Sequence, residues 1–364
     1  MSKYHLSERW FDEVSYWKEN PLLLNYHSSD LEEKRVHESS QTLVNRPAVE
    51  WAKTYWSFVK SSEKQKGIES DENNTDFTLV DTLRTKTTEK IRANLTVLCQ
   101  LAWSNVENLL GGGKEYHFVG EHLLEPEKFI PDSFLIYTKI VNAFADYESP
   151  ACLSEIVGRD LIALRNKCIQ EDSLVLGFMV MQFCSVSKNI LGCLSSEERL
   201  LFAPYLQVVD DYLYLPIGEL DCLISNYESN SPILLAVQHL IGQINPISHA
   251  VYERVSCIHS KYRSRNGMLK DAEIRRSSIR DVKLFLIYLC LCVLEGSMRP
   301  LQQELFPLCV ILYPKLHVSW QLVQDMLLVL FWQVSDRLDD QDIVMFLPYF
   351  RTINKVFSDE VLNG

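Results

Sequence analysis

The chain is short of nearly every feature from which active sites are read. Only 13 glycines serve 364 residues, and strict alternation of apolar with polar residues is almost absent. A strand-rich fold with many tight turns is thereby excluded. The ten cysteines contain no Cys-x-x-Cys pair. The nearest two, Cys290 and Cys292, point roughly 200° apart on a helix, so they neither bridge nor chelate together. Nine histidines include no His-x-x-x-His pair, and none stands at zinc spacing from a cysteine. His239, His249 and His259 are read as satisfied or surface residues, not as ligands of a metal or haem. No Gly-x-Ser-x-Gly elbow, kinase set or dinucleotide-binding signature occurs. Gly111-Gly112-Gly113-Lys114 lacks the first glycine of a phosphate loop, and Glu115 stands where a hydroxyl would hold magnesium. It reads as a helix stop. Asp210-Asp211 and Asp339-Asp340 are adjacent and do not share a helix face, so they read as solvated turns and not as an acid–base pair. The expectation is a protein that is not an enzyme and holds no metal.

Compartment follows from similar absences. The segment MSKYHLSERWFDEVSYWKEN has no apolar run of signal-peptide type. The most apolar stretch, Leu284–Leu294, is about half the length a membrane crossing needs. The sequence predicts a cytoplasmic protein with free thiols and no membrane span. With 36 basic against 48 acidic residues, the formal net charge is −12, which argues against non-specific nucleic-acid binding.

What the chain does have is apolar mass, at 47% hydrophobic and 11% aromatic residues, enough for a sizeable core. Residues 1–80 form an amino-terminal segment with Trp10, Trp17, Trp51 and Trp56, short helices near 47–59, and a polar linker over 61–75. A helical domain is expected over 81–194, where Ile91, Leu95, Leu98, Ala102 and Val106 keep helical spacing. Further helices read as Pro131–Phe144, Ala151–Cys168, Ser173–Leu191 and Ser195–Val209, the last opened by a Ser195–Glu198 capping box. A second domain, 195–364, continues with Ile217–Ile224, Pro232–Gln243, Pro246–Tyr262, Ser278–Glu295, Gln302–Leu312 and Trp320–Asp336. The predicted fold class is all-α.

One charge cluster stands apart. From Lys261 to Lys283 there are eight basic residues against three acidic ones, directly before the most apolar helix. A positive rim at the mouth of an apolar pocket suits a flat hydrophobic molecule carrying carboxylates, because guanidinium groups pair with carboxylates in a two-pronged way. The bland alternative makes Ser278-Ile279-Arg280-Asp281 a helix N-cap with an acidic first turn.

The same residues resemble a known family. Ser278-Ile279-Arg280-Asp281, then Glu295-Gly296-Ser297-Met298-Arg299-Pro300-Leu301-Gln302, then Tyr313-Pro314-Lys315-Leu316-His317-Val318-Ser319 are similar in ungapped register to phycobiliproteins, the allophycocyanin and phycocyanin subunits. Those carry Cys-x-Arg-Asp, Gly-Asp-x-x-Pro-x-Glu and Tyr-x-x-Leu-Gly-x-Pro. The resemblance covers Ser195 to about Asp336 and implies a globin-like helical domain with a bilin cleft. It implies that Arg280 pairs a bilin propionate and Asp281 holds the pyrrole nitrogens, with Ser278, Arg275 and Arg276 at the same site. Ser278 stands where the family has its chromophore-bearing cysteine, so any bilin would be held without a covalent bond. The expected function is phycobilisome-associated assembly, regulation or bilin sensing, with partners met through helical faces in homo- or hetero-oligomers. The alternatives are a pigment-free helical adaptor and, further off, a bilin lyase or chaperone.

Overall fold

The helical spacing of Ile91, Leu95, Leu98, Ala102 and Val106 is realised in helix α1 (Thr75–Leu109), where all five side chains are buried. The computed structural model describes residues 75–109 and 125–362, apart from the side chains of 75–79 and 173. The tryptophan-rich segment, most of the polar linker and the Gly111–Gly113 helix stop lie outside the described residues. The linker reading needs one correction, since Thr75 is already helical and α1 begins six residues before Asp81.

Four helices follow: α2 (Pro126–Ala145), α3 (Pro150–Glu171), α4 (Ser173–Cys193) and α5 (Ser196–Val209). Pro131 does not open α2. Pro126 occupies the first turn, and the fully buried Phe129 extends the apolar face upstream of Pro131. The expected capping box is present in full: Ser195 Oγ accepts from the Glu198 N–H, and Glu198 accepts from the Ser195 N–H. A wider π turn, Asp210–Tyr214, extends α5. Then come α6 (Ile217–Ile224), α7 (Pro232–Gly242) and α8 (Ile244–Ile258). Among the described residues the only strands are the two-residue pair β1 (Arg263–Ser264) and β2 (Gly267–Met268), joined antiparallel. The chain continues through α9 (Ala272–Glu295), a second π turn (Leu301–Leu305), α10 (Phe306–Lys315), α11 (Trp320–Ser335), α12 (Asp340–Val356) and the short α13 (Asp359–Leu362). The fold is all-α.

Helix α9 is the axis of the carboxyl-terminal part. Every residue from Leu284 to Leu294 is buried, so this run is apolar because it meets protein on all sides. It packs on α6, α7, α8 and α12. Each fully buried Leu, Ile or Phe there contributes on the order of 1.5–3 kcal/mol. α9 ends in a Schellman motif at Gly296 (φ 63°), where Ser297 N–H bonds Cys292 O and Gly296 N–H bonds Val293 O.

The remaining helices are bound into the same unit. α1 lies against α2 and α4, and α4 also carries α10. Gln182 on α4 donates to the Cys99 carbonyl of α1 and to Ser133 Oγ of α2. Gly177 lets α10 approach, since a Cβ there would sit 3.2 Å from Leu308. Helix α4 is apolar and long enough over Leu174–Cys193 to cross a membrane by length and composition. Its apolar residues Phe178, Phe183, Val186 and Ile190 are buried against these neighbours.

Candidate functional site

The amino end of α9 differs from the expected one. Asp271 is the N-cap and Ala272 the first helical residue, so Ser278 is not a cap but lies in the second turn, half-buried. The N-cap reading of Ser278–Asp281 is therefore corrected. The run 272–279 is helical because Ile274 is buried and Arg275 is anchored to α8, where its guanidinium meets Glu253 at 2.7 Å and lies 5.3 Å over the Tyr252 ring.

That helix distributes the five candidate residues. Arg275 and Arg276 are exposed, Arg275 against α8, whereas Arg280 and Asp281, a turn further on, face the first π turn. The guanidinium of Arg280 donates to Asp210 Oδ1 at 2.8 Å and stacks 3.9 Å over the Tyr214 ring. It also approaches Cys184 Sγ on α4 at 3.5 Å. Asp281 Oδ1 accepts the Tyr214 hydroxyl at 2.5 Å. Asp210 and Tyr214 are four residues apart and share one face of their turn, so one short segment serves both members of the α9 pair. Asp210 is thus not the solvated turn residue its sequence position suggested. It is three-quarters buried and is the counter-ion of Arg280.

Electrostatics follow from this enclosure. Burial raises the Asp281 carboxyl above its ordinary range, with Arg280 and the Tyr214 hydroxyl pulling it back down. Burial raises the Tyr214 phenol well above 10, and the Asp281 charge adds to the effect. Burial works against the Arg280 charge, but Asp210, Cys184, Tyr214 and Asp281 together hold it firmly protonated. The cluster is a closed set of mutually satisfied charges with one orphan, the Nε of Arg280.

The cations of the positive rim are divided between two places: Arg280 meets the first π turn, while Arg275 and Lys270 line a groove against α8. The apolar run of α9 is solid core, and α4 stands beside Arg280 through Cys184. The groove against α8 is open, at about 560 Å³, and is lined by Tyr252, Glu253, Ser256, Cys257, Lys270 and Arg275. The three helical histidines are occupied: His239 meets Asp342 at 2.9 Å, His259 meets Asp325 at 2.8 Å, and His249 meets the Asn245 carbonyl of its own helix.

Sequence reasoning found Arg280 and Asp281 but missed Asp210 and Tyr214, which lie 70 and 67 residues upstream. No local signal joins such distant positions. It also missed Arg165, a buried arginine of α3 whose guanidinium reaches Glu219, the Leu213 carbonyl, Tyr288 and Glu304.

Residues 206–356 match the family model described as phycobilisome protein. No curated protein and no solved structure matches the chain. The matched segment starts near the end of α5 and runs through α12, so it includes both π turns and the whole of α9. A bilin is the group such a family implies. In this structure the carboxylate that meets Arg280 is Asp210, and the proton that meets Asp281 comes from Tyr214, while Arg280 Nε is left without a partner. A propionate and a pyrrole N–H would have to replace Asp210 and Tyr214 at these two positions.

Proposed function

We propose that this chain, whose residues 206–356 are a phycobilisome-protein domain of globin-like all-α build, acts in phycobilisome-associated assembly as a pigment-free, non-enzymatic protein. One observation carries the reading. Arg280 and Asp281, the two residues a bilin would engage, are spent on Asp210 and Tyr214 inside the same fold. A domain that keeps the antenna architecture and closes its pigment contacts retains what the helical faces can do, which is to pair with other subunits. The cytoplasm is the compartment proposed, since free buried thiols such as Cys99, Cys290 and Cys309 suit a reducing medium.

The test is the absorption spectrum of the full chain purified from a bilin-producing host, together with its migration against intact phycobilisomes in a density gradient. The expected result is a colourless protein that co-migrates with them. A visible band that survives denaturation would mean covalent pigment and would sink the reading. A second reading, reversible bilin binding, is favoured by the unpartnered Nε of Arg280. Its signature is colour that disappears on denaturation and in Arg280→Ala.

A further inference from the structure

The cationic run between Lys261 and Arg276 takes no part in the Arg280–Asp281 site. It falls on the turn after α8, on the β1–β2 hairpin and on the opening turns of α9. Lys261, Arg263, Arg265, Lys270 and Arg276 are all exposed. Among the described residues none of the five has an ion-pair partner. The nearby acids are committed elsewhere: Glu253 holds Arg275, Glu273 meets Lys188 at 3.1 Å, and Asp271 accepts the Met268 N–H.

Two facts make this more than a solvated face. First, Lys270 and Arg276 lie exposed on either side of the first turn of a 24-residue helix. The acids of that turn are engaged by the chain itself, Asp271 with the Met268 N–H and Glu273 with Lys188, so these two charges are open to an outside anion at the positive end of the helix dipole. Second, the cations stand on a fixed support. Arg265 N–H bonds the Leu316 carbonyl, Ser264 Oγ bonds the Gly267 carbonyl, and Tyr262 Oη bonds the His317 carbonyl. Beside them lies the groove of about 560 Å³, and the same stretch exposes the apolar side chains of Ile258 and Met268.

We propose that this face docks an acidic segment of a partner protein. Carboxylates of the partner pair with Arg263, Arg265, Lys270 and Arg276, and an apolar side chain settles against Ile258 or Met268. Arginine forks match carboxylates in two-pronged geometry, and an anion here relieves both the unpaired cations and the helix dipole. A polyphosphate partner is disfavoured because the exposed Ile258 and Met268 stand among the cations, which suits carboxylates interleaved with an apolar side chain better than a continuous run of phosphates. An anionic membrane is disfavoured because two apolar side chains give little to insert. The inference deepens the assembly reading and rests on it only for where the partner is found.

The experiment measures fluorescence anisotropy of a labelled synthetic peptide of alternating Glu and Leu with the full chain. Duplex DNA and anionic phospholipid vesicles are the parallel probes. The peptide is expected to bind most tightly and to weaken as salt rises from about 50 to 200 mM, because screening shortens. In Arg263→Glu/Arg265→Glu its affinity falls about tenfold or more, with unchanged helical circular dichroism. A neutral double variant, Lys270→Gln/Arg276→Gln, gives an intermediate loss and guards against misfolding of the first. Peptide affinity equal to that of the wild-type chain in both variants, or tighter binding of DNA or vesicles, overturns the proposal. If patch-dependent peptide binding holds while the wild-type chain fails to co-migrate with phycobilisomes, the docking chemistry stands and the assembly reading falls.

Discussion

Asp281 sits between a guanidinium and a phenol, yet burial dominates and raises its carboxyl above the usual range. A carboxyl raised in the fold contributes stability that is fully present below its unfolded value and is lost as pH rises through the folded one. Asp281→Asn keeps an oxygen for the Tyr214 hydroxyl and removes that loss. The variant is therefore expected to gain on wild type as pH rises above the ordinary carboxylate range, as read from chemical denaturation between pH 4 and pH 7. A difference that does not change with pH would place the Asp281 charge in water. The thiols show the same physics. Burial pushes Cys99 and Cys292 up to about 11 and Cys168 up to about 12, and Cys290 and Cys309 higher still. The thiolate is the reactive form, so these five should resist a maleimide at neutral pH in the native chain. Cys152, Cys193, Cys222 and Cys257 are exposed and should be labelled, as counted by intact mass before and after denaturation. Native labelling of Cys290 or Cys292 would contradict the solid packing of α9.

The two turns flanking the second π segment take the left-handed backbone with different residues. Gly296 adopts φ 63° to close α9, and His317 adopts φ 55° after α10. His317 stands where the resemblance to phycobiliproteins places glycine, and its side chain is exposed. Replacing it relieves about 1 kcal/mol of left-handed strain against a smaller entropic cost in the unfolded chain. His317→Gly should therefore stabilise by about 0.5 kcal/mol, while Gly296→Ala should cost about 1 kcal/mol. Thermal melts of the two variants should move in opposite directions; movement in the same direction would remove the backbone argument. At this scale the sequence was legible wherever the signal is local: the Ser195 capping box, Ile217–Ile224 and the stop at Gly296 were all readable. It was opaque where a distant contact decides. The opening turns of α9 carry two adjacent arginines and little apolar period, and they are helical because Ile274 and Arg275 find partners on other elements. α2 begins early because Phe129 has a core to enter. Neither π turn has a sequence mark, so the segment that presents Asp210 and Tyr214 could not be foreseen, although the resemblance to phycobiliproteins singles out the α9 pair it meets.

Arg165 shows how the described residues hold together. It lies on α3, before the matched segment, and is 3% exposed. Its acceptors, Glu219, Glu304, Tyr288 and the Leu213 carbonyl, all lie within that segment. Burial works against its charge, but Tyr288, Glu219 and Glu304 outweigh it and hold the guanidinium protonated at any working pH. Burial is also the main reason that the Glu219 carboxyl is raised, with Arg165 opposing it. The matched segment therefore encloses two carboxylates that need a cation it does not itself provide. Removing one partner of a buried ion network costs about 3–5 kcal/mol, so Arg165→Ala should lose about that much at pH 7. With the cation gone the Glu219 carboxyl rises further. Its share of stability is then present at low pH and lost as pH rises, so acid should partly rescue the variant near pH 5. The same reasoning applies to a fragment beginning at Ser195, which loses Arg165 together with the α4 surface that carries α10. It should be less stable at neutral pH than the full chain, and Glu219→Gln/Glu304→Gln should narrow the gap. The check is denaturant unfolding of all four proteins at pH 5 and pH 7; a fragment as stable as the full chain at both would show that α3 and α4 are an appendage and not part of the core.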